Sequence, residues 1–293
     1  MTNRHESDWA AKLELGFIPG KGGTRLQRLA FEGPLRVQRI FHPEPAGQDA
    51  RLSQPAHCYL LHPPGGLVGG DSLRINAEAT PGAHALLTTP SAGKIYRTAP
   101  GASPQRQAIA LAANGGDIEW LPRETIVFSG ARTELSLEIE ISGGGRFLGW
   151  DVLTFGRPAG KLPFRAGMVL QAFRLERDGK LLFAERLEFH AGDALAKGVF
   201  GLADSVTAMS FWAVGAKGDD SAVREAAGRL RDRLAGLPPS DGRTGATCRN
   251  GVLSARCLGN ETGFAWETAR LAWETVRPAL LGRKTCPPRI WNL

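Results

Sequence analysis

The sequence predicts a mainly β fold of many short strands, with two helices near the C-terminal end. From about residue 13 to 214, short runs alternate apolar and polar side chains in the period of two that is typical of half-buried strands. Turns rich in Gly, Pro, Asp and Asn separate these runs. Helical periodicity appears only later, over 221–237 and 264–276, where Pro278 is expected to end the second helix. The spacing alone leaves a sandwich, a barrel and stacked β-layers open.

The first strands follow a polar leader, which we place at residues 1–12 and expect to be disordered. The run 24–31 alternates imperfectly, whereas LRVQRI at 35–40 alternates cleanly and predicts a half-buried strand. The segment 42–55 is rich in Pro, Gly, Asp and Gln, and we interpret it as an exposed loop.

The stretch 57–97 contains the most distinctive turns. A strand ends at Pro63 and Pro64, because proline cannot donate a ladder hydrogen bond. The glycines of the two following turns are Gly65, Gly66, Gly69 and Gly70. Asp71 stands at the exit of the second turn. The spacing fits neither a P-loop nor a dinucleotide fingerprint, so we interpret these glycines as structural turn residues.

Strand patterns continue through the middle of the chain. The runs 106–112 and 117–121 flank an Asn-Gly-Gly turn, which predicts a hairpin. The run 133–141 alternates apolar and acidic residues most regularly, and Asp-Gly at 178–179 predicts a two-residue hairpin turn. A further strand is expected at 206–214, before the first helix.

The composition fits a globular protein, with 42% hydrophobic and 22% charged residues in a chain of 293. The net charge of +7 suits an acidic protein or nucleic acid, but the basic residues are scattered, which disfavours nucleic acid. A surface that is simply basic is the favoured explanation. Four cysteines without a C-x-x-C pair favour the reducing cytoplasm. Neither a signal peptide nor a membrane-spanning run is expected.

Candidate metal ligands and catalytic motifs are sparse. There is no G-x-S-x-G or H-E-x-x-H motif, and no Cys/His cluster that would indicate a tight metal site. Cys58 and His62 share one strand face and could contact one ion, although a structural hydrogen-bonding role is the commoner outcome for such a histidine.

Several segments form a series that resembles one known family. They are GPLRVQR at 33–39, HPPGGLVGGD at 62–71, TTPSAGKIYR at 88–97, IEWLPRETIVFSGA at 118–131, GWDVLTFGRP at 149–158, ERLEF at 185–189 and WETVRPALLGRKTCPPRIWNL at 273–293. In this order they closely resemble the urease accessory protein family UreD, also called UreH. The resemblance runs from about Leu13 to the last residue, and it implies a single UreD-like domain over 1–293.

The resemblance implies both a fold and a function. The family fold is a β-helix-like stack of β-layers with two helices near the C-terminus. Its members are not enzymes but scaffolds of urease maturation, which bind apo-urease on one side and UreF on the other. UreF recruits the GTPase UreG, which carries nickel. We therefore expect a dimer of heteromeric complexes, transient Ni²⁺ and no tightly bound cofactor, and neither nucleic acid nor a membrane as a partner.

Three acidic residues match family positions along a proposed nickel route: Asp71, Asp151 and Glu185. Spaced carboxylates and waters hold Ni²⁺ weakly enough for release. Asp151 stands where the family usually has Glu, which keeps the charge and shortens the arm. Each acid has a structural alternative. Asp71 could bind its own turn amides, Asp151 could pair with Arg157, and Glu185 could lie on a solvated strand face beside Arg186.

The C-terminal stretch offers a second candidate site. Arg277, Arg283, Arg289 and Trp291 combine the residue types that dominate protein interfaces, so a partner surface is one interpretation. The alternative is a tail packed back onto the β-body. Two other functions stay open at this point. One is a small-molecule or carbohydrate enzyme on a β-scaffold with Asp151 and Glu185 as acid and base, and the other is a protein-binding module unrelated to metal.

Overall fold

A computed structural model describes residues 9–45, 53–237 and 242–292. In these ranges the strands are β1 (Ala10–Ile18), β2 (Arg25–Glu32), β3 (Arg36–Val37), β4 (Ala56–Leu61), β5 (Ser72–Ala79), β6 (His84–Thr88), β7 (Gly93–Ile95), β8 (Gln105–Asn114), β9 (Asp117–Trp120), β10 (Thr125–Val127), β11 (Arg132–Ser142), β12 (Arg146–Arg157), β13 (Leu162–Pro163), β14 (Met168–Arg177), β15 (Lys180–His190), β16 (Thr207–Val214), β17 (Arg243–Arg249) and β18 (Val252–Gly259). The helices there are α1 (Ala194–Lys197), α2 (Asp220–Ala235) and α3 (Thr262–Leu281).

The strands form two sheets, and the chain passes back and forth between them. In the described residues the smaller sheet has the order β15-β14-β11-β8-β5-β1-β2, and the main path of the larger is β17-β18-β16-β12-β9-β6-β4-β3. Successive strands β4, β5, β6, β8, β9, β11 and β12 alternate between the larger and the smaller sheet and pair in parallel within each. This coil confirms the predicted mainly β fold of stacked layers.

The larger sheet is buried on both faces. One face packs on the smaller sheet, and the other face packs on α2 and α3, so that the molecule has three layers. Strand β12 shows the alternation: Phe147 and Leu153 face the smaller sheet, whereas Leu148 and Val152 face the helices. The same alternation determines whether a polar residue of the larger sheet faces the smaller sheet or the helices.

Three expectations are corrected in the strand region. The Asn-Gly-Gly turn at 114–116 is not a hairpin, because β8 and β9 belong to different sheets. It is a corner of the coil, where a Cβ on Gly116 would lie 2.5 Å from the carbonyl oxygen of Thr80 in the layer before. The strand expected at 35–40 shrinks to β3, and Glu44 of the supposed exposed loop is buried. Residues 46–52 of that loop lie outside the described ranges.

The ends of the chain also differ in detail. Strand β1 begins at Ala10, inside the leader expected at 1–12, whose residues 1–8 lie outside the described ranges. The hairpin turn at 178–179 is confirmed, with positive φ at both residues. Both C-terminal helices are confirmed, but α3 continues past Pro278 to a left-handed Gly282, whose N–H donates to the Pro278 carbonyl at 3.2 Å. No helix in the described residues is long and apolar enough to cross a membrane.

Candidate functional site

A cavity of about 310 Å³ lies between the two sheets. The turn glycines Gly65 and Gly66, together with His62 and Lys94, line one part of it, and Asp151 lines another. Most of the remaining wall is apolar, as expected for the space between two packed sheets. Strand parity brings Asp151 here, because it follows Phe147 by four residues on the face of β12 that meets the smaller sheet.

The Asp151 carboxylate has neutral hydrogen-bond donors and no salt bridge to a described residue. Its oxygens accept from the indole N–H of Trp120 at 3.2 Å and from the Gln171 side-chain amide at 3.4 Å. Burial raises the pKa of Asp151 to about 6, the charge of Glu185 adds to the rise, and the two donors oppose it. The expected partner Arg157 instead lies over the Phe128 ring at 4.6 Å.

Asp151 also lines a second, smaller cavity of about 20 Å³. This space continues between the sheets toward Ser136 and Leu137 of β11. Because the same carboxylate borders both cavities, it marks the point where they approach each other. A small cation that moved along the space between the sheets would pass this group.

Glu185 lies on β15 and is tied to a cation. It forms a salt bridge with Arg256 of β18, whereas the neighbouring Arg186 pairs with Glu188 at the surface. Burial raises the pKa of Glu185, and Arg256 works against that rise. Because its charge contributes to the raised pKa of Asp151, the two acids are electrostatically coupled.

Asp71 lies apart from these two acids. Its carboxylate accepts the backbone N–H of Val68 at 2.9 Å, which is the turn-stabilising role left open by the sequence. Burial lowers the pKa of His62, and the charge of Asp71 partly offsets that effect, so Asp71 lies within electrostatic reach of the cavity wall. It does not itself line the cavity between the sheets.

The turn before Asp71 needs its glycines for close packing. A Cβ on Gly66 would lie 2.4 Å from the Tyr96 ring and 2.8 Å from the Lys94 carbonyl. A β-carbon on Gly69 would lie 2.8 Å from that of Ala102, and the Gly70 N–H donates to the Ser103 carbonyl at 2.9 Å. The geometry is that of a tight turn pressed against its neighbours.

The described residues contain no group of three or more His, Cys, Asp or Glu side chains arranged to hold a metal ion. Cys58 is fully buried, and burial raises the pKa of its thiol, so it is kept in the protonated form that binds metals poorly. The polar groups of the cavity wall include one carboxylate, Asp151 with its two neutral donors, the imidazole of His62 and the cations Lys94 and Arg123. Such a set suits an ion in passage better than a resident one.

The C-terminal candidates separate into buried and exposed residues. Arg277 has no exposed surface, so the interpretation of this side chain as a partner contact does not fit the structure. Arg283 is almost buried and donates to the Ser53 carbonyl at 2.9 Å. Trp291 packs back on the body, with its indole N–H 2.9 Å from the Thr88 hydroxyl oxygen. Arg289 is exposed.

Arg277 is the centre of a buried ionic cluster that the sequence reading missed. Its guanidinium donates to both oxygens of Glu119 at 3.0 Å and to Glu44 at 2.7 Å. His84 lies 2.6 Å from Glu119, and His57 lies 2.8 Å from Glu44. The available signal was weak: an arginine four positions after Trp273 on the apolar stripe of α3, and an acid within an apolar strand.

Beside this cluster, four tryptophans close the helical layer. Trp291 lies 5.7 Å from Trp150 and 5.5 Å from Trp266 between ring centroids, and Trp150 also meets Trp273 edge-on. An open cleft of about 740 Å³ adjoins them, lined in part by Trp266, Arg270 and Trp291.

Sequence comparisons point in one direction. The profile of the UreD urease accessory protein family matches residues 10–292. The urease accessory protein UreD of Chromohalobacter salexigens is 45% identical over 292 residues, which cover 99% of this chain and 90% of the relative. That of Marinobacter nauticus is 40% identical, with 98% and 93% covered, and that of Pseudoalteromonas translucida is 40% identical, with 99% and 92% covered.

Proposed function

This chain belongs to the UreD family of urease accessory proteins, and from this premise we propose that it is a non-catalytic scaffold that guides nickel into apo-urease. Its role is therefore in urease maturation, in the cytoplasm, where its free cysteines stay reduced. The observation that carries the nickel proposal is Asp151, a carboxylate without a countercharge at the wall of the cavity between the sheets.

The chemistry of this group fits a transient contact with Ni²⁺. With a pKa of about 6, Asp151 is mostly ionised at neutral pH and attracts a divalent cation. One carboxylate and a few waters hold the ion loosely, so that release costs little. Glu185 provides a second charge that acts on Asp151, and Asp71 acts electrostatically on His62 in the cavity wall. The proposed order along the route is Asp71, Asp151 and then Glu185.

The enzyme alternative is weaker. An acid–base pair would use the raised pKa values of Asp151 and Glu185. Glu185, however, is engaged by Arg256 and lines neither of the two cavities that Asp151 borders. Turnover of a substrate by the purified chain alone would revive this alternative.

The partner contacts follow from the family and from the exposed C-terminal residues. We propose that apo-urease and UreF occupy different surfaces, that UreG joins through UreF, and that the assembly is a dimer of heteromeric complexes. Of the four C-terminal candidates, Arg289 is exposed and Trp291 lines the open cleft, so these two have surface to offer a partner. Arg283 contributes by holding this segment in place.

The test is a maturation assay in cells that express urease with all its accessory proteins. The triple variant Asp71→Asn, Asp151→Asn and Glu185→Gln should still co-purify with UreF and apo-urease, but the urease should contain at least ten-fold less nickel. A matched control neutralises Glu78, Glu138 and Glu140, which lie on the outer face of the smaller sheet. Normal nickel content of urease with the first variant would refute the nickel route. Failure of the wild-type chain to retain UreF or apo-urease would refute its role as a scaffold.

A further inference from the structure

The two edges of the smaller sheet are protected to different degrees. At one edge, the far side of β15 meets the β17–β18 hairpin, where Asn250 donates to the Leu182 carbonyl at 3.4 Å and Arg256 reaches Glu185. At the other edge, β2 pairs with β1, and within the described ranges no further strand pairs with it. Nearly all residues of β2 are exposed.

Strand β2 nevertheless carries large apolar side chains on its core-facing side, although this edge of the sheet is exposed to solvent. Leu29 is 47% exposed and Phe31 is 48% exposed. They pair with Leu15 and Leu13, which are buried in the core, so all four point toward the larger sheet. The Arg36 guanidinium lies over the Phe31 ring at 4.2 Å, yet with the described residues in place about half of each of the Leu29 and Phe31 side chains stays uncovered. Edge strands are usually defended by charge at such positions.

The regular part of β2 is complementary to itself. A bulge at Gln27 interrupts the pairing with β1, so the regular segment runs from Arg28 to Glu32. We propose that two copies of this chain pair antiparallel through this segment, about a two-fold axis at Ala30. Arg28, which also forms a salt bridge with Glu14 of β1, then faces the partner's Glu32, Leu29 faces the partner's Phe31, and Ala30 faces its own counterpart. Charged pairs fall on the outer face and apolar pairs on the core face.

Neighbouring registers fit less well, which is why the axis is placed at Ala30. A two-fold axis at Leu29 would set Glu32 against Leu26, and an axis at Phe31 would set Glu32 against Ala30. A shift of one residue between the strands would put apolar side chains opposite charged ones. The symmetric arrangement joins the two smaller sheets into one continuous sheet and covers Leu29 and Phe31.

The first test measures association of the full-length chain by sedimentation equilibrium. A strand of five residues makes a small interface, so we expect a reversible dimer whose average mass rises with concentration toward twice the 31.4 kDa of the chain. The variant Leu29→Gln with Phe31→Gln should weaken dimerisation at least ten-fold. The matched control is Leu181→Gln on β15, which is 45% exposed and should change nothing. A monomer at all concentrations, or a dimer indifferent to the double variant, overturns the proposal.

The second test reads the register. Facing residues in an antiparallel pair have Cα atoms about 4.5 or 5.5 Å apart, within the range of a disulfide. Ala30→Cys should therefore form a disulfide-linked dimer under mild oxidation. Wild type reports the background from the four native cysteines, and Ala110→Cys in the centre of the same sheet is the control. A dimer that is not cross-linked by Ala30→Cys disproves the pairing.

A charge exchange separates this pairing from any other contact through β2. Arg28→Glu alone and Glu32→Arg alone each place like charges opposite one another, so each should lose the dimer. Mixed together, the two variants oppose Glu to Arg at both positions and should form a heterodimer. Absence of rescue in two variants that keep their circular dichroism spectra would exclude this register. The dimer through β2 does not depend on nickel.

Discussion

Glu119 is fully buried and Asp151 is half-buried, and the two acids lie on opposite faces of the larger sheet in surroundings that differ in kind. Glu119 faces α3 and receives bonds from Arg277, His84 and Trp273. Burial alone would raise the pKa of Glu119, but Arg277 and His84 outweigh it and lower the pKa. Asp151 faces the smaller sheet and has only neutral donors, so its pKa is raised.

Glu119 therefore stabilises the fold, whereas the charged form of Asp151 destabilises it. Glu119 and Glu44 are neutralised by a guanidinium that joins the C-terminal helix to the β-layers. Asp151 is half-buried and has no countercharge among the described residues, so its charge is not stabilised in this way, and such groups are typical of functional sites. Four substitutions test this contrast.

Arg277→Met should have the largest effect, because it removes the cation between two buried carboxylates. We expect a loss of about 3 to 5 kcal/mol in the free energy of unfolding, measured by urea denaturation. The control is Arg270→Met on the same helix, whose exposed pair with Glu274 should contribute less than about 0.5 kcal/mol. Equal losses in both variants would mean that the cluster does not hold the layers together.

Asp151→Asn should move stability in the other direction. The folded state disfavours the charged acid, so wild-type stability falls, relative to the variant, as pH rises from about 4 to about 6. Above pH 6 the gap should approach about 3 kcal/mol in favour of the variant, because each pKa unit corresponds to about 1.36 kcal/mol, and below pH 4 the two should agree. Unfolding curves at a series of pH values measure this gap. A variant less stable than wild type at pH 7 contradicts the contrast.

Gln171→Lys should make Asp151 resemble Glu119. A cation at hydrogen-bonding distance should lower the pKa of Asp151 by about 1 to 3 units and remove the pH dependence between 4 and 6. Nickel content of urease should fall although the acid is retained. Gln171→Met is the control, since loss of a neutral donor should raise that pKa further. The pKa is read by carbon NMR of the Asp side chain.

Glu185→Gln should have the smallest effect on stability, below about 1 kcal/mol, because its pair with Arg256 is partly exposed. Loss of the neighbouring negative charge should lower the pKa of Asp151 by less than about one unit. The same NMR titration checks this shift. An unchanged pKa would show that the two acids are too far apart to act in sequence.

How much the sequence could predict depends on the range of the interaction. The Asp-Gly hairpin at 178–179 and the helix α2 follow from local rules, and both were predicted. The Asn-Gly-Gly at 114–116 obeys the same local rule but became a corner, because stacking on the previous layer overrode it. Asp151 could be named only through family resemblance, since strand parity does not say which neighbour faces it.

The ionic cluster shows the limit most clearly. Glu44 and Arg277 are separated by 233 residues, and the family-like segment 273–293 that contains Arg277 does not indicate what this side chain contacts. A polar residue in a loop rich in Pro and Gly is predicted to be solvated, and an arginine near a chain end is predicted to lie at the surface. Only the packing of α3 against the larger sheet makes them partners.

The long span of this cluster has a consequence for the newly made chain. Arg277 is synthesised 158 residues after Glu119, which at about 5 to 20 residues per second is a delay of roughly 8 to 30 s. Until then, β-layers already able to coil lack the cation that joins Glu44 to Glu119, and their apolar face is not yet covered by α3. The nascent chain therefore exposes apolar surface while it is still on the ribosome, and molecular chaperones would protect it there. Its yield in cells should respond to the speed of translation as well as to its final stability.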